Sequence, residues 1–103
     1  MAVGIYLSGG ADSALLLYKQ TEPVVCLTVA SRERNHYVEA SRAVVDWIRN
    51  NTDVNILEHV VAIAHDEPLR KTKRKHARGL LEKNYTITEW LGGKTMNPPV
   101  KLK

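Results

Sequence analysis

The chain has 103 residues, enough for one domain with a modest core, and 44% of them are hydrophobic. Charged residues make up 25%, there are six Gly and four Pro, and the one cysteine is Cys26, which together exclude a disordered or fibrous chain, a disulfide framework and a cysteine-based zinc site. The formal charge is +4, and no apolar stretch has a basic leader before it or the length of a membrane span, so a soluble, cytoplasmic protein without a membrane partner is expected.

Residues 3–7 are a short apolar run stopped by Ser8-Gly9-Gly10, which predicts a buried strand and then a turn. Helix-tolerant residues follow from Asp12, with the side chain of Asp12 or Ser13 as the capping oxygen. Thr21-Glu22-Pro23 closes that helix. Residues 24–29 form a second β-branched apolar run without polar alternation, as in a parallel strand covered on both faces. The spacing predicts a helix over 35–50. Its apolar side carries Tyr37, Ala40, Val44, Trp47 and Ile48, while Glu39, Arg42, Asp46 and Arg49 fall largely opposite. Tyr37 and Trp47 thus read as packing residues rather than a stacking platform. Residues 55–63 supply a third strand. The order β-α-β-α-β predicts an α/β, Rossmann-like parallel sheet with flanking helices and right-handed crossovers.

Beyond residue 64 the pattern weakens. A helix over 69–84 has Leu80, Leu81 and Ala77 for an apolar side, and residues 88–91 either extend it or form a separate turn. Its first half is strongly basic: Arg70, Lys71, Lys73, Arg74, Lys75 and Arg78 occur with no acidic residue among them. Such a run meets nucleic acid or ligand phosphates, or is a solvated helix face. Met96-Asn97-Pro98-Pro99 excludes regular helix near the end of the chain. Only three strands are predicted, fewer than a doubly wound sheet usually has, and an open edge of that kind invites a second copy or a complementing chain.

The chemistry concentrates after the first strand. A strand that enters Ser8-Gly9-Gly10 and leaves into a helix aims several backbone N–H groups and a helix dipole at one point, which binds phosphate without a lysine. The two glycines allow close approach of the anion, and Ser8 and Ser13 add hydroxyl donors. Asp12 is suited to ordering the loop or to holding Mg²⁺. The stretch is neither a Walker A loop nor a G-x-G-x-x-G fingerprint. Gly92-Gly93-Lys94-Thr95 has the second half of a Walker A loop, but Thr88 stands where the first glycine belongs and no apolar strand is predicted before it.

Leu7-Ser8-Gly9-Gly10-Ala11-Asp12-Ser13, directly after an N-terminal strand, resembles the SGGxDS signature of the PP-loop ATP-pyrophosphatases, which include asparagine synthetase, GMP synthetase, tRNA-modifying enzymes and the 7-cyano-7-deazaguanine synthases. The likeness is greatest to the last branch and its phage relatives. Arg34-Asn35-His36-Tyr37-Val38-Glu39 is similar to that branch's Arg-His-x-x-Glu stretch with one residue inserted, and Thr95-Met96-Asn97-Pro98-Pro99 is similar to its late T-x-N-P-P segment. Full members are longer, and hold a structural zinc with a C-terminal cysteine cluster that this sequence lacks, so no zinc is expected. Their middle strands have no counterpart here, as in a shortened viral copy or one piece of a split protein.

The resemblance implies an adenine nucleotide alpha hydrolase-like fold, ATP and Mg²⁺ as cofactors, and cleavage of ATP to AMP and pyrophosphate with adenylation of a small-molecule or nucleobase substrate. Nucleoside biosynthesis of the 7-deazaguanine type and tRNA or DNA modification are the implied settings, in the host cytoplasm if the chain is viral. It assigns nucleotide contact to Leu7, Ser8, Gly9, Gly10, Ala11, Asp12 and Ser13, with Thr28 and Val29 beside the adenine, and catalytic roles to Ser8, Asp12 and Ser13. His36 and Glu39, three apart on one helix face, and His65, after the third strand, are candidates for substrate proximity. Residues 1–64 are accordingly read as a nucleotide-binding core and 65–103 as a basic, partly helical segment of open fold. The alternative reading is a truncated module that binds nucleotide or nucleic acid without chemistry.

Overall fold

The computed structural model describes residues 1–8, 11–32 and 36–92. Across them the chain runs β1 (Ala2–Tyr6), α1 (Ala11–Tyr18), β2 (Val24–Ser31), α2 (His36–Asn51), β3 (Ile56–Ala64), α3 (Glu67–Asn84) and β4 (Ile87–Gly92). The strands form one sheet in the order β3-β2-β1-β4, and every pairing is parallel. This is a Rossmann-like α/β arrangement, as the alternation of elements predicts. The chain moves outward from β1 to β2 to β3, then crosses back over the sheet through α3 to place β4 on the other side of β1. With right-handed crossovers, that reversal sends α3 to the face opposite α1 and α2.

β1 and β2 are buried on both faces, β3 and β4 at the sheet's ends less so, and the alternation of the strands sorts the core into two halves. Val3, Ile5 and Leu7 of the β1 segment, Val24 and Cys26 of β2 and Ile56 of β3 pack with Leu17 of α1 and with Val45 and Ile48 of α2. On the other face Ala2, Val25 and Leu27 pack with Ala77 and Leu81 of α3. Ile5 and Leu17 are fully enclosed, and each contributes about 2 kcal/mol by leaving water. The ends of α3 are fixed by its own sequence. The Asp66 carboxylate accepts from Leu69 N–H at 3.2 Å, Pro68 occupies the first turn, and Tyr85 N–H closes the last turn on the Leu81 carbonyl at 2.9 Å.

Several expectations require correction. Residues 88–91 neither extend α3 nor form a turn: they belong to β4, the fourth strand, which pairs with β1. The β-branched Thr86, Ile87 and Thr88 suit an extended chain, and Tyr85 has already closed the helix. A strand therefore does precede Gly92, against the expectation, and residues 93–103, with Gly93-Lys94-Thr95 and the Thr95-to-Pro99 likeness, lie outside the described residues. In α2 the buried positions are Val38, Ser41, Val45 and Ile48, so Trp47, assigned to the packed side, is instead 56% exposed. A small hydroxyl residue fits against the sheet there because Ser41 Oγ donates to its own helix at the Val38 carbonyl, 3.0 Å away. Leu80 is likewise exposed, and Ala77 and Leu81 carry the α3 contact. Among the described residues, no helix is long and apolar enough to cross a membrane.

Candidate functional site

Parallel strands put all their carboxyl ends on one edge, and a sheet whose order reverses opens a crevice there at the reversal. Here the reversal lies between β1 and β4, and the Ser8 loop leaves β1 at that point. Tyr6, the last residue of β1, is paired with Leu27 on one side and Gly92 on the other.

Two contacts shape what surrounds the loop. Ser13 is 3% exposed, and its Oγ accepts from Ser8 N–H at 3.3 Å and lies 3.4 Å from Ser8 Oγ. The first residue of the loop is thus held against the first turn of α1, and Gly9 and Gly10, which lie outside the described residues, connect the two. Because α1 begins at Ala11, Asp12 and Ser13 lie inside its first turn and not at the capping position expected for them. Asp12 is exposed.

The second contact lies beneath the loop. Leu7 N–H donates to the Leu27 carbonyl at 2.9 Å, and the Leu7 carbonyl accepts from Thr28 Oγ1 at 2.7 Å. Thr28 is buried and also meets His59 Nε2 at 2.8 Å. A hydroxyl has one proton and a carbonyl can only accept, so the network assigns the Thr28 proton to Leu7. His59 must then donate from Nε2–H, as the neutral ring does in that tautomer. The surroundings agree: burial first, then the cations of Arg42 and Arg49 on α2, push the His59 pKa from 6.5 down to about 4, with Asp46 opposing. Thr28 and His59 thereby fix the carbonyl from which the loop departs.

Of the residues expected at a nucleotide site, Leu7, Ser8, Ser13 and Thr28 come together in this way. Val29 lies on the opposite face, packed with the α3 cluster. His36 and Glu39 occupy the first turn of α2 and His65 follows β3, so all three are exposed side chains at the carboxyl edge, His65 on a different connection from the other two. The His36 ring lies 4.5 Å from that of Tyr37. Arg34 and Asn35 lie outside the described residues. Among the described residues no group of three His, Cys, Asp or Glu side chains is placed to hold a metal ion.

Sequence reasoning passed over His59, although a histidine inside an apolar parallel strand needs a buried partner, and that was its signal. It also missed a cluster on the α3 face. The rings of Tyr6 and Trp90 stack 5.0 Å apart at 25°, with the Arg74 guanidinium 5.6 Å above Tyr6 and that of Arg78 5.5 Å above Trp90. Arg78 donates to Tyr6 Oη and to Glu82, both at 3.1 Å, and Trp90 Nε1–H donates to Glu82 at 2.8 Å. These bonds from Trp90 and Arg78 hold the Glu82 carboxyl below its ordinary pKa.

No protein-family model, curated protein or solved structure matches this chain. The fold defines the class alone: a Rossmann-like α/β protein in which Ser8 meets Ser13 at the topological switch point.

Proposed function

We propose that the chain binds Mg²⁺-ATP at the loop from Ser8 to Ser13 and uses it as a PP-loop ATP-pyrophosphatase. The observation that carries this reading is the closure of Ser8 onto buried Ser13 at the switch point between β1 and β4. It holds Ser8, at the end of the β1 segment, against the first turn of α1, and a helix N-terminus is a place that accepts a phosphate on backbone N–H groups.

In the proposed reaction an oxygen of an acidic substrate attacks the α-phosphorus of ATP. The bond from that phosphorus to the bridging oxygen breaks, pyrophosphate departs, and the substrate carries AMP. Donors fixed around the leaving pyrophosphate stabilise charge as it develops. Ser8 and Ser13 are the side chains assigned to that role. Mg²⁺ is usually held by one or two carboxylates together with substrate phosphates and water, and exposed Asp12 meets that modest requirement. The ion would offset phosphate charge.

Calorimetric titration with Mg²⁺-ATP tests the reading. Binding by the unaltered chain and its loss in Ser13→Ala are expected. Absence of binding by the unaltered chain refutes it. Where binding is found, release of pyrophosphate on adding carboxylic acids separates the enzyme from a module that only holds nucleotide.

A further inference from the structure

A groove of about 580 Å³ runs between α3 and the β1–β4 half of the sheet, and Lys71, Arg74, Lys75 and Arg78 all line it. These positions follow the spacing i, i+3, i+4, i+7, so one helix face turns four cations toward one channel. The acidic residue of the lining, Glu82, is bound to Arg78 and Trp90. Among the described residues, no ion pair joins Lys71, Arg74 or Lys75 to a carboxylate. Packing explains why the channel is open: α3 lies over β2 and β3, leaving Tyr6 of β1 as the floor, with Trp90 of β4 stacked against it.

We propose that this groove binds single-stranded nucleic acid. Four cations set against the single carboxylate of Glu82, with Lys71, Arg74 and Lys75 outside its ion pair, repel one another and favour a polyanion, and the spacing along two helical turns suits successive phosphates rather than one compact anion. The flat surfaces are of the right kind. Aromatic rings and arginine guanidinium planes are the platforms on which unpaired bases stack, and here Arg74 and Arg78 lie over stacked Tyr6 and Trp90. The four cations and the Tyr6 ring line one groove, so a splayed strand can meet the charges with its phosphates and the flat groups with its bases, which a duplex with stacked bases cannot do. Because Tyr6 lies two residues before Ser8, the occupied groove would reach the edge where the loop lies. The inference rests on the groove alone and holds whether or not ATP binds.

Binding is measured by fluorescence anisotropy with a labelled oligothymidylate of about 15 nucleotides. Four phosphate contacts give a slope of log affinity on log salt of about −3, or a loss of about 50-fold between roughly 50 and 200 mM salt. Replacing exposed Lys71 and Lys75 together, K71A with K75A, is expected to halve that slope to about −1.4. Lys19→Ala with Lys83→Ala, outside the groove lining, leaves it unchanged. In a Trp47→Tyr background Trp90 is the remaining tryptophan, and its fluorescence should change on addition of the oligonucleotide. Ser13→Ala should bind the oligonucleotide as the unaltered chain does, which separates this site from the loop. The proposal is overturned by an unaltered slope in K71A with K75A, by equal or tighter binding of a duplex of the same length, by displacement with pyrophosphate at matched phosphate concentration, or by absence of binding.

Discussion

Gly4→Ala tests the part of the fold that was least visible beforehand, the pairing of β4 with β1. Gly4 is opposite Trp90, and a Cβ at Gly4 would lie 2.5, 2.6 and 2.8 Å from the indole Cε3, Cδ2 and Cζ3 atoms. Carbon atoms rest at about 3.5–4.0 Å, so the ring must retreat by about 1 Å. It is not free to do so, since it stacks on Tyr6 and its Nε1–H is bound to Glu82. Overpacking of this sort costs about 1–3 kcal/mol. Alanine recovers about 0.5–1 kcal/mol of that by reducing the freedom of the unfolded chain. The expected net loss is about 1–2 kcal/mol.

The same substitution made in a Trp90→Ala background meets no ring. There it should be neutral or stabilising by up to about 1 kcal/mol, which gives the pair a coupling of about 2 kcal/mol. Urea denaturation of the four proteins, followed by circular dichroism, reads this as shifts in midpoint at constant slope. An equal cost in both backgrounds would refute the argument. It would also refute the register, because a slip of one residue turns Trp90 to the other face of the sheet.

Thr28→Val removes a hydroxyl and leaves the Leu7 carbonyl and His59 N–H without their shared partner; a loss of about 1–3 kcal/mol is expected, with Thr28→Ser near the unaltered stability. Stability should fall as pH drops from 6.5 toward 4, because the unfolded chain takes up a proton on His59 that the folded chain refuses until about pH 4. A shift of that size is worth at most about 3 kcal/mol, and partial solvent access reduces it to about 2 kcal/mol. The contribution is fully present above 6.5, and His59→Gln should flatten that part of the profile; an equally steep profile would count against it. Burial pushes the Cys26 thiol up to about 12 despite nearby Arg49, so an aromatic disulfide reagent should react with the chain only as fast as it unfolds.

The first three strands were legible because each carries a continuous apolar run: Val24-Val25-Cys26-Leu27 in β2, which is buried on both faces, residues 2–7 around β1, and Val60-Val61-Ala62-Ile63-Ala64 in β3. β4 was not legible. Ile-Thr-Glu-Trp-Leu-Gly interrupts its apolar residues with exposed Thr88 and Glu89 within six positions, and so it lacks that signature, whereas β3, also at an end of the sheet, keeps five apolar residues in a row. The errors in α2 and α3 have one cause. Counting hydrophobic residues favours large side chains such as Trp47 and Leu80; the sheet surface instead takes Ser41 in α2, while in α3 it takes Ala77 and Leu81, two of the three residues expected there. At the site, the sequence motif marked Ser8 and Ser13 through local spacing. Thr28 and His59 are separated by 31 residues and meet only because β2 and β3 pair, so their bond could not be read locally although Thr28 itself was expected at the site.

The end of β1 shows why these features are separable by experiment. Alternation along the strand turns Tyr6 toward α3 and Leu7 toward α2, so successive residues serve different faces of the sheet. Tyr6 forms the groove floor, the Leu7 carbonyl is fixed by Thr28 and His59, and Ser8 closes onto Ser13. Loss of the Thr28 hydroxyl acts on Leu7 and should therefore weaken nucleotide binding at the loop while leaving oligonucleotide binding in the groove intact. Loss of Lys71 and Lys75 should do the reverse. A Thr28→Val protein, still folded, that lost both activities in equal measure would mean that loop and groove form one continuous site, and the division by strand alternation would have to be abandoned.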